Sequence, residues 1–354
     1  MAEGVCVCPS EGFKMQSDNR LAVLHDWLEQ RHGERNWNLE PASEDASFRR
    51  YFRVSFVDSA ETRIVMDAPP DKEDCRPFVQ VSELFGAAGV HVPKLHATDL
   101  RLGFLLLEDL GKLTYLEAIQ KKDFGAADTA ELYAAAIDAL IRIQHASRAD
   151  ELPLYDATLL RRELDLFPEW YVKRHLGATL DADDLKTLES VFALLIANSL
   201  AQPRVFVHRD YHSRNLMVCR PLPGVIDFQD AVFGPITYDL VSLLKDAYVS
   251  LDEEQVIDLC VRYWEKARKT GLPVAGDFAT FYRDFEWMGV QRHLKVAGIF
   301  ARLCHRDGKT RYLADIPLVL GYLDRTCARY RELGPLAKLL DRLHGRIAQT
   351  RYSF

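Results

Sequence analysis

Apolar residues at Leu21, Leu24, Trp27 and Leu28 recur at helical spacing and predict a short helix over residues 21–31. Two runs rich in β-branched and aromatic residues follow, YFRVSF at 51–56 and RIVM at 63–66, and the polar stretch between them fits a hairpin. Residues 77–88 return to helical spacing, with Pro77 suited to a first turn and Gly89 to a stop. FLLL at 104–107 is a continuous apolar run, the pattern of a buried strand, and it leads into Glu108-Asp109-Leu110-Gly111. Up to about residue 110 the pattern therefore predicts a small antiparallel sheet with a helix on it. From Thr114 onward amphipathic helices dominate, at 128–147, 157–175, 181–200, 236–249, 252–269 and 278–305. Between 205 and 228 they give way to short β-rich runs (VFVH, NLMV, GVID) separated by turn residues. The predicted class is α+β and two-lobed: a flexible tail over 1–20, a β-rich lobe over 21–110 and a mainly helical lobe over 111–354, with a ligand expected in the crevice they form.

Composition narrows the function classes. Of 354 residues, 48% are hydrophobic and 27% charged, enough to bury a full core and too apolar for a disordered chain. The 52 acidic residues exceed the 45 basic ones for a net charge of −7, which argues against general nucleic-acid binding. No run of 18 apolar residues predicts a membrane span, and the first residues lack the cationic and apolar regions of a secretory signal. Seven cysteines form no C-x-x-C pair, which suits a reducing cytoplasm, and a monomer is expected.

The β-rich island carries the chemistry. It reads His208-Arg209-Asp210-Tyr211-His212-Ser213-Arg214-Asn215, followed by Val225-Ile226-Asp227-Phe228-Gln229-Asp230. Phosphoryl transfer to an alcohol needs one carboxylate at the hydroxyl and hard oxygen ligands that hold Mg²⁺ against the phosphates of ATP. Asp210 precedes Asn215 by five positions, a spacing that a tight loop folds onto one point, and Asp227 arrives at the end of the next hairpin strand. The pattern is the H-R-D-x-x-x-x-N loop followed by a metal-binding Asp.

On these residues the chain resembles the aminoglycoside phosphotransferase/choline kinase superfamily, which implies a bilobal protein-kinase-like fold. Departures argue against a protein kinase: there is no G-x-G-x-x-G, no V-A-I-K and no A-P-E, and Asp227-Phe228-Gln229 stands in place of D-F-G. The segments DASFRRYFR at 45–53, MDAPP at 66–70, FPEWY at 167–171, VIDFQDAVFGP at 225–235 and GVQRHLKV at 289–296 resemble, more narrowly, the bacterial anomeric N-acetylmuramate/N-acetylglucosamine kinases. That resemblance runs from about residue 21 to 322. It implies ATP-dependent phosphorylation of the C1 hydroxyl of a small amino sugar in cell-wall recycling, with Asp210 as base and Asn215 and Asp227 as Mg²⁺ ligands. Two rivals remain: a kinase of another small alcohol (aminoglycoside, choline or another sugar), and a nucleotide-binding scaffold without catalysis.

Other positions are less constrained. A lysine expected on the third strand is replaced near that place by Met66. Ser47 with the loop 43–48 is a candidate phosphate cradle and Arg49 or Arg50 a candidate phosphate cation; the alternative is a solvated strand edge. Residues 107–110 should present backbone groups to adenine, which places Glu108 and Leu110 at the nucleotide and leaves the Glu108 and Asp109 side chains facing solvent. Helical spacing gathers Arg292, Lys295, Arg302 and Arg306 on one stripe that either meets a sugar carboxylate or pairs with nearby acids. His212 either reaches a sugar hydroxyl or phosphate or is structural. Asp239 and His208 are expected to brace the loop, and Trp170 and Tyr171 to lie in the core.

Overall fold

A computed structural model describes residues 11–33, 35–44, 48–121 and 125–345. The chain divides into two compact units, one of residues 1–80 with 93–110, the other of residues 81–92 with 111–354. Residues 81–92, expected with the β-rich lobe, group with the helical unit.

In the first unit, helix α1 (Glu11–His32) begins ten residues earlier than its periodicity predicts, so only residues 1–10 of the expected tail remain outside it, beyond the described residues. Strands β1 (Trp37–Glu44), β2 (Arg50–Phe56), β3 (Thr62–Asp67), β4 (Leu95–Asp99) and β5 (Phe104–Glu108) form one antiparallel sheet in the order β1-β2-β3-β5-β4. The predicted hairpin pairs Tyr51 with Met66 and Phe52 with Val65. Leu24, Trp27 and Leu28 of α1 pack on Val54, Phe56, Val65 and Phe104, so the helix lying on the sheet is α1.

Helix α2 (Arg76–Ala87) starts in the first unit and ends in the second, where Phe85 lies against the rings of His208 and Phe228. The second unit continues with α3 (Tyr115–Ile119), α4 (Ala126–His145), α5 (Ala157–Leu164), α6 (Ala182–Ala201), α7 (Tyr238–Leu244), α8 (Glu253–Lys269), α9 (Phe278–His305), α10 (Ile316–Arg329) and α11 (Gly334–Leu343). Asp156, Asp181, Asp252 and Asp277 cap α5, α6, α8 and α9, each accepting from the backbone N–H three residues on. The 28-residue α9 is buried along most of its length and runs through a core that includes Phe167, Phe192, Leu195, Leu294 and Leu323.

Two predicted helices differ in the structure. The single helix expected over 157–175 breaks into α5 and a π-helical stretch, Phe167–His175, with Pro168 at its start, where a proline has no N–H to lose to the preceding turn. Gly298 of α9 admits this junction: a Cβ there would stand 2.5 Å from the carbonyl of Leu166. The helix expected over 236–249 stops after α7, because Asp246 turns its carboxylate onto the backbone N–H groups of Tyr248 (3.0 Å) and Ser213 (2.9 Å). Tyr171 is buried in the core and Trp170 packs at its margin, as expected.

Candidate active site

Strand β6 (Arg204–Val207) pairs with β9 (Val232–Pro235), and β7 (Leu216–Met217) with β8 (Gly224–Val225). These two ribbons anchor both ends of the loop 208–215 and the start of the turn that carries Asp227. The loop's curvature needs left-handed backbone at Arg209 (φ 77°), and Asp227 is left-handed too (φ 64°), a conformation that costs a non-glycine residue and recurs at functional sites.

Asp239, in the first turn of α7, holds that curvature. Its two oxygens accept the N–H groups of His208 (2.6 Å) and Arg209 (3.0 Å). Burial pushes this carboxyl up to about 7, opposed by the same two N–H bonds. His208 is fully buried and neutral, since burial pushes its pKa down to about 4. Its Nδ1 accepts from the Asp210 N–H (3.2 Å), so its Nε2 carries the proton and donates to the Ile226 carbonyl (3.0 Å).

The Asn215 side-chain amide donates to the Asp210 carbonyl (3.0 Å) and to the Asp227 carboxylate (3.2 Å), while the Asn215 carbonyl accepts from the Ile226 N–H (3.1 Å). One amide therefore ties together the three residues singled out by spacing. Gln229 donates to the other oxygen of Asp227 (2.9 Å). The Asn215 Oδ1 takes no hydrogen bond from the described residues, while the amide nitrogen is the atom turned to Asp210 and Asp227. An amide oxygen beside a carboxylate is a donor set that suits Mg²⁺.

A buried charge cluster stands behind the loop. Glu163 of α5 is paired with Arg209 (2.6 Å) and Lys295 (2.9 Å), accepts from Gln291 (3.2 Å) and takes the Tyr155 hydroxyl. Burial alone would raise its pKa; Lys295 and Arg209 outweigh that and hold it at about 2. Lys295 also donates to the Tyr238 hydroxyl (2.9 Å), and Arg292 to the Arg209 carbonyl (3.1 Å). Half-buried Asp210 is pulled the same way. Desolvation opposes its charge, yet Lys295, His212 and Arg292 bring its pKa down to about 2.

The cationic stripe thus splits. Arg292 and Lys295 are buried beside the loop, Arg306 is exposed and paired with Asp307 (2.6 Å), and no hydrogen bond or ion pair among the described residues joins half-buried Arg302 to the cluster. His212 is half-buried, edge-on to Tyr248. Glu163 escaped the sequence reading, although an acid flanked by Leu160 and Leu164 on an apolar helix face is a signal for a buried partner.

In the first unit, Ser47 lies outside the described residues. Arg50 is ion-paired with Asp67, which is wholly buried and also takes Arg20 (2.6 Å); Arg49 is paired with Glu73 (3.2 Å). The region around both arginines is therefore an ion-paired network rather than the solvated edge considered above. Met66 is wholly buried. The Asp109 side chain, expected from sequence to face solvent, is instead buried against Arg53 (2.6 Å), an arginine across the sheet that compensates its charge. The Glu108 backbone N–H bonds to the Lys94 carbonyl (2.8 Å), and its side chain accepts from the Lys94 N–H (3.2 Å); Leu110 is buried.

Residues 38–272 match the phosphotransferase enzyme family. A choline kinase from Cryptosporidium parvum Iowa II has the same fold, with a TM-score of 0.61 at 13% identity, covering 90% of this chain and 99% of that one. The fold is that of the small-molecule kinases, and the activity is phosphotransfer. The N-acetylmuramate/N-acetylglucosamine kinase of Pseudomonas aeruginosa is 51% identical, covering 93% of this chain and 98% of that protein. Its namesake from Neisseria meningitidis serogroup B is 50% identical over 92% and 96%. The chain belongs to the phosphotransferase enzyme family, on the branch of these N-acetylmuramate/N-acetylglucosamine kinases.

Proposed function

We propose that the protein transfers the γ-phosphoryl group of ATP to the anomeric hydroxyl of N-acetylmuramic acid and N-acetylglucosamine, giving the sugar 1-phosphates in the cytoplasm. The observation that carries the chemistry is the Asn215 amide, which bonds to both Asp210 and Asp227. The near full-length likeness to kinases named for these two sugars supports the substrate.

In this reading Asn215 Oδ1 and the Asp227 carboxylate hold Mg²⁺, which when bound neutralises charge on the transferred phosphoryl group. Asp210 receives the C1 hydroxyl. With a pKa near 2 it is ionised throughout the neutral range and is a weak base, so its task is to orient the hydroxyl and take the proton late, as the O–P bond forms. A hemiacetal hydroxyl suits such a partner, being more acidic than an ordinary alcohol. Arg292 and Lys295 keep Asp210 charged, and Asp239 and His208 keep the loop in its attacking shape.

Release of ADP in the presence of each sugar, choline and an aminoglycoside tests the acceptor, with phosphorus NMR locating the new phosphate. We expect turnover with the two amino sugars and a 1-phosphate product; turnover with choline or an aminoglycoside alone refutes the assignment. Asp210→Asn should lower kcat by about 10²–10⁴-fold while nucleotide still binds.

A further inference from the structure

Arg214 sits immediately before Asn215, inside the loop that also holds Asp210. It is half-buried, and no ion pair or hydrogen bond engages its guanidinium among the described residues. Other half-buried arginines are committed to acids: Arg20 and Arg50 to Asp67, Arg53 to Asp109, Arg209 to Glu163. Arg214 instead sits over the ring of Tyr248, 3.7 Å from its centroid, with Tyr312 further out at 5.6 Å. Stacking holds the guanidinium on the ring and leaves its fork of N–H donors without a partner among the described residues.

The acids nearest in the fold are not positioned to use it. Asp246 is buried and spends both oxygens on the backbone N–H groups of Ser213 and Tyr248. Asp315 feels the charge of Arg214 but lies beyond ion-pair distance. A second donor sits on the same ring: His212 meets Tyr248 edge-on at 5.4 Å, and its Nδ1 is buried with no hydrogen-bond partner among the described residues.

We infer that Arg214, stacked on Tyr248, is a specificity-determining residue that binds the carboxylate of an acidic amino sugar presented to this loop, with His212 contributing a second polar contact. The inference rests on the function proposed above and deepens it. The two sugars named there differ by one feature, a lactyl ether that bears a carboxylate in N-acetylmuramic acid and is absent from N-acetylglucosamine. A planar fork of N–H donors is the protein group that best matches a carboxylate.

The test is the ratio of kcat/KM for N-acetylmuramic acid to that for N-acetylglucosamine, measured for the unaltered protein, Arg214→Gln and Arg214→Lys. A charge-assisted hydrogen bond to a carboxylate is worth a fall of about 10- to 100-fold in that ratio for Arg214→Gln, with the lysine variant between the two. A ratio that stays put in both variants overturns the inference, whatever happens to the two rates together, since a purely structural arginine would depress both sugars alike. If one variant fails to fold, as judged by thermal unfolding, the other carries the comparison; if both fail, titration calorimetry of each sugar into the Tyr248→Leu protein, which removes the stacking partner, must show the same loss of discrimination or the inference falls. Should the unaltered protein phosphorylate neither sugar, the proposed function fails and takes this inference with it. Failure of the inference alone leaves the unaltered protein active on both.

Discussion

Glu163, itself buried, offers two oxygens to two cations, a phenol and an amide. Taking away its charge strands Arg209 and Lys295 without a counter-ion, and breaking a buried pair in this way costs about 3–5 kcal/mol. Glu163→Gln should lower stability by that order in urea unfolding at pH 7. The pH dependence has a fixed sign. Folding depresses the Glu163 pKa to about 2, so its contribution is in full above the unfolded value near 4.5 and is lost as the pH falls through about 2. The unaltered protein should therefore lose stability faster than the Gln variant between those limits, and a slope equal in the two proteins would contradict the pairing. At this scale the sequence was informative where the chemistry is local. Asp210, Asn215 and Asp227 lie within 18 consecutive positions, and a short loop has few ways to arrange them. Glu163 meets Arg209 from 46 residues away and Gln291 from 128, distances across which no periodicity reports.

Helices were the most legible elements, because apolar spacing marks their buried face. Strands β1 and β4 were missed for physical reasons. β1 is an edge strand that carries Pro41, Glu40 and Glu44 with a bulge between Pro41 and Ser43, and β4 alternates His96 and Thr98 on the opposite edge. Neither is buried on both faces, so neither shows the apolar run that revealed β5. The π-helical stretch was hard to read because the space that admits it lies elsewhere in the chain, at Gly298 of α9. Gly298→Ala puts a methyl group 2.5 Å from the Leu166 carbonyl, a backbone group with little freedom to move. It should cost about 1–3 kcal/mol, read as a lower urea midpoint with an unchanged slope; a neutral result would mean that the junction yields easily.

For the molecule as a whole, net charge and local charge point in opposite directions. The chain carries −7, yet Arg292 and Lys295 lie beside the loop that holds Asp210, and Arg209 and Arg214 belong to it. Anionic reactants are thus received by a local field that the composition conceals. A ligand that binds only the folded protein stabilises it by mass action, by about 2.7 kcal/mol at one hundred times its Kd. ATP with Mg²⁺ should raise the unfolding temperature accordingly, and Asp227→Ala should abolish most of that rise. The overall architecture was foreseeable from the switch between β and helical periodicity near residue 110. The assignment of residues 81–92 to the helical unit was not, since α2 reads as one uninterrupted amphipathic helix. A last consequence concerns Asp239, whose single carboxylate clasps two successive peptide groups of the loop. The bend is set when the chain first folds, so its conformational freedom is given up once in the lifetime of the polypeptide and not again each time a reactant docks.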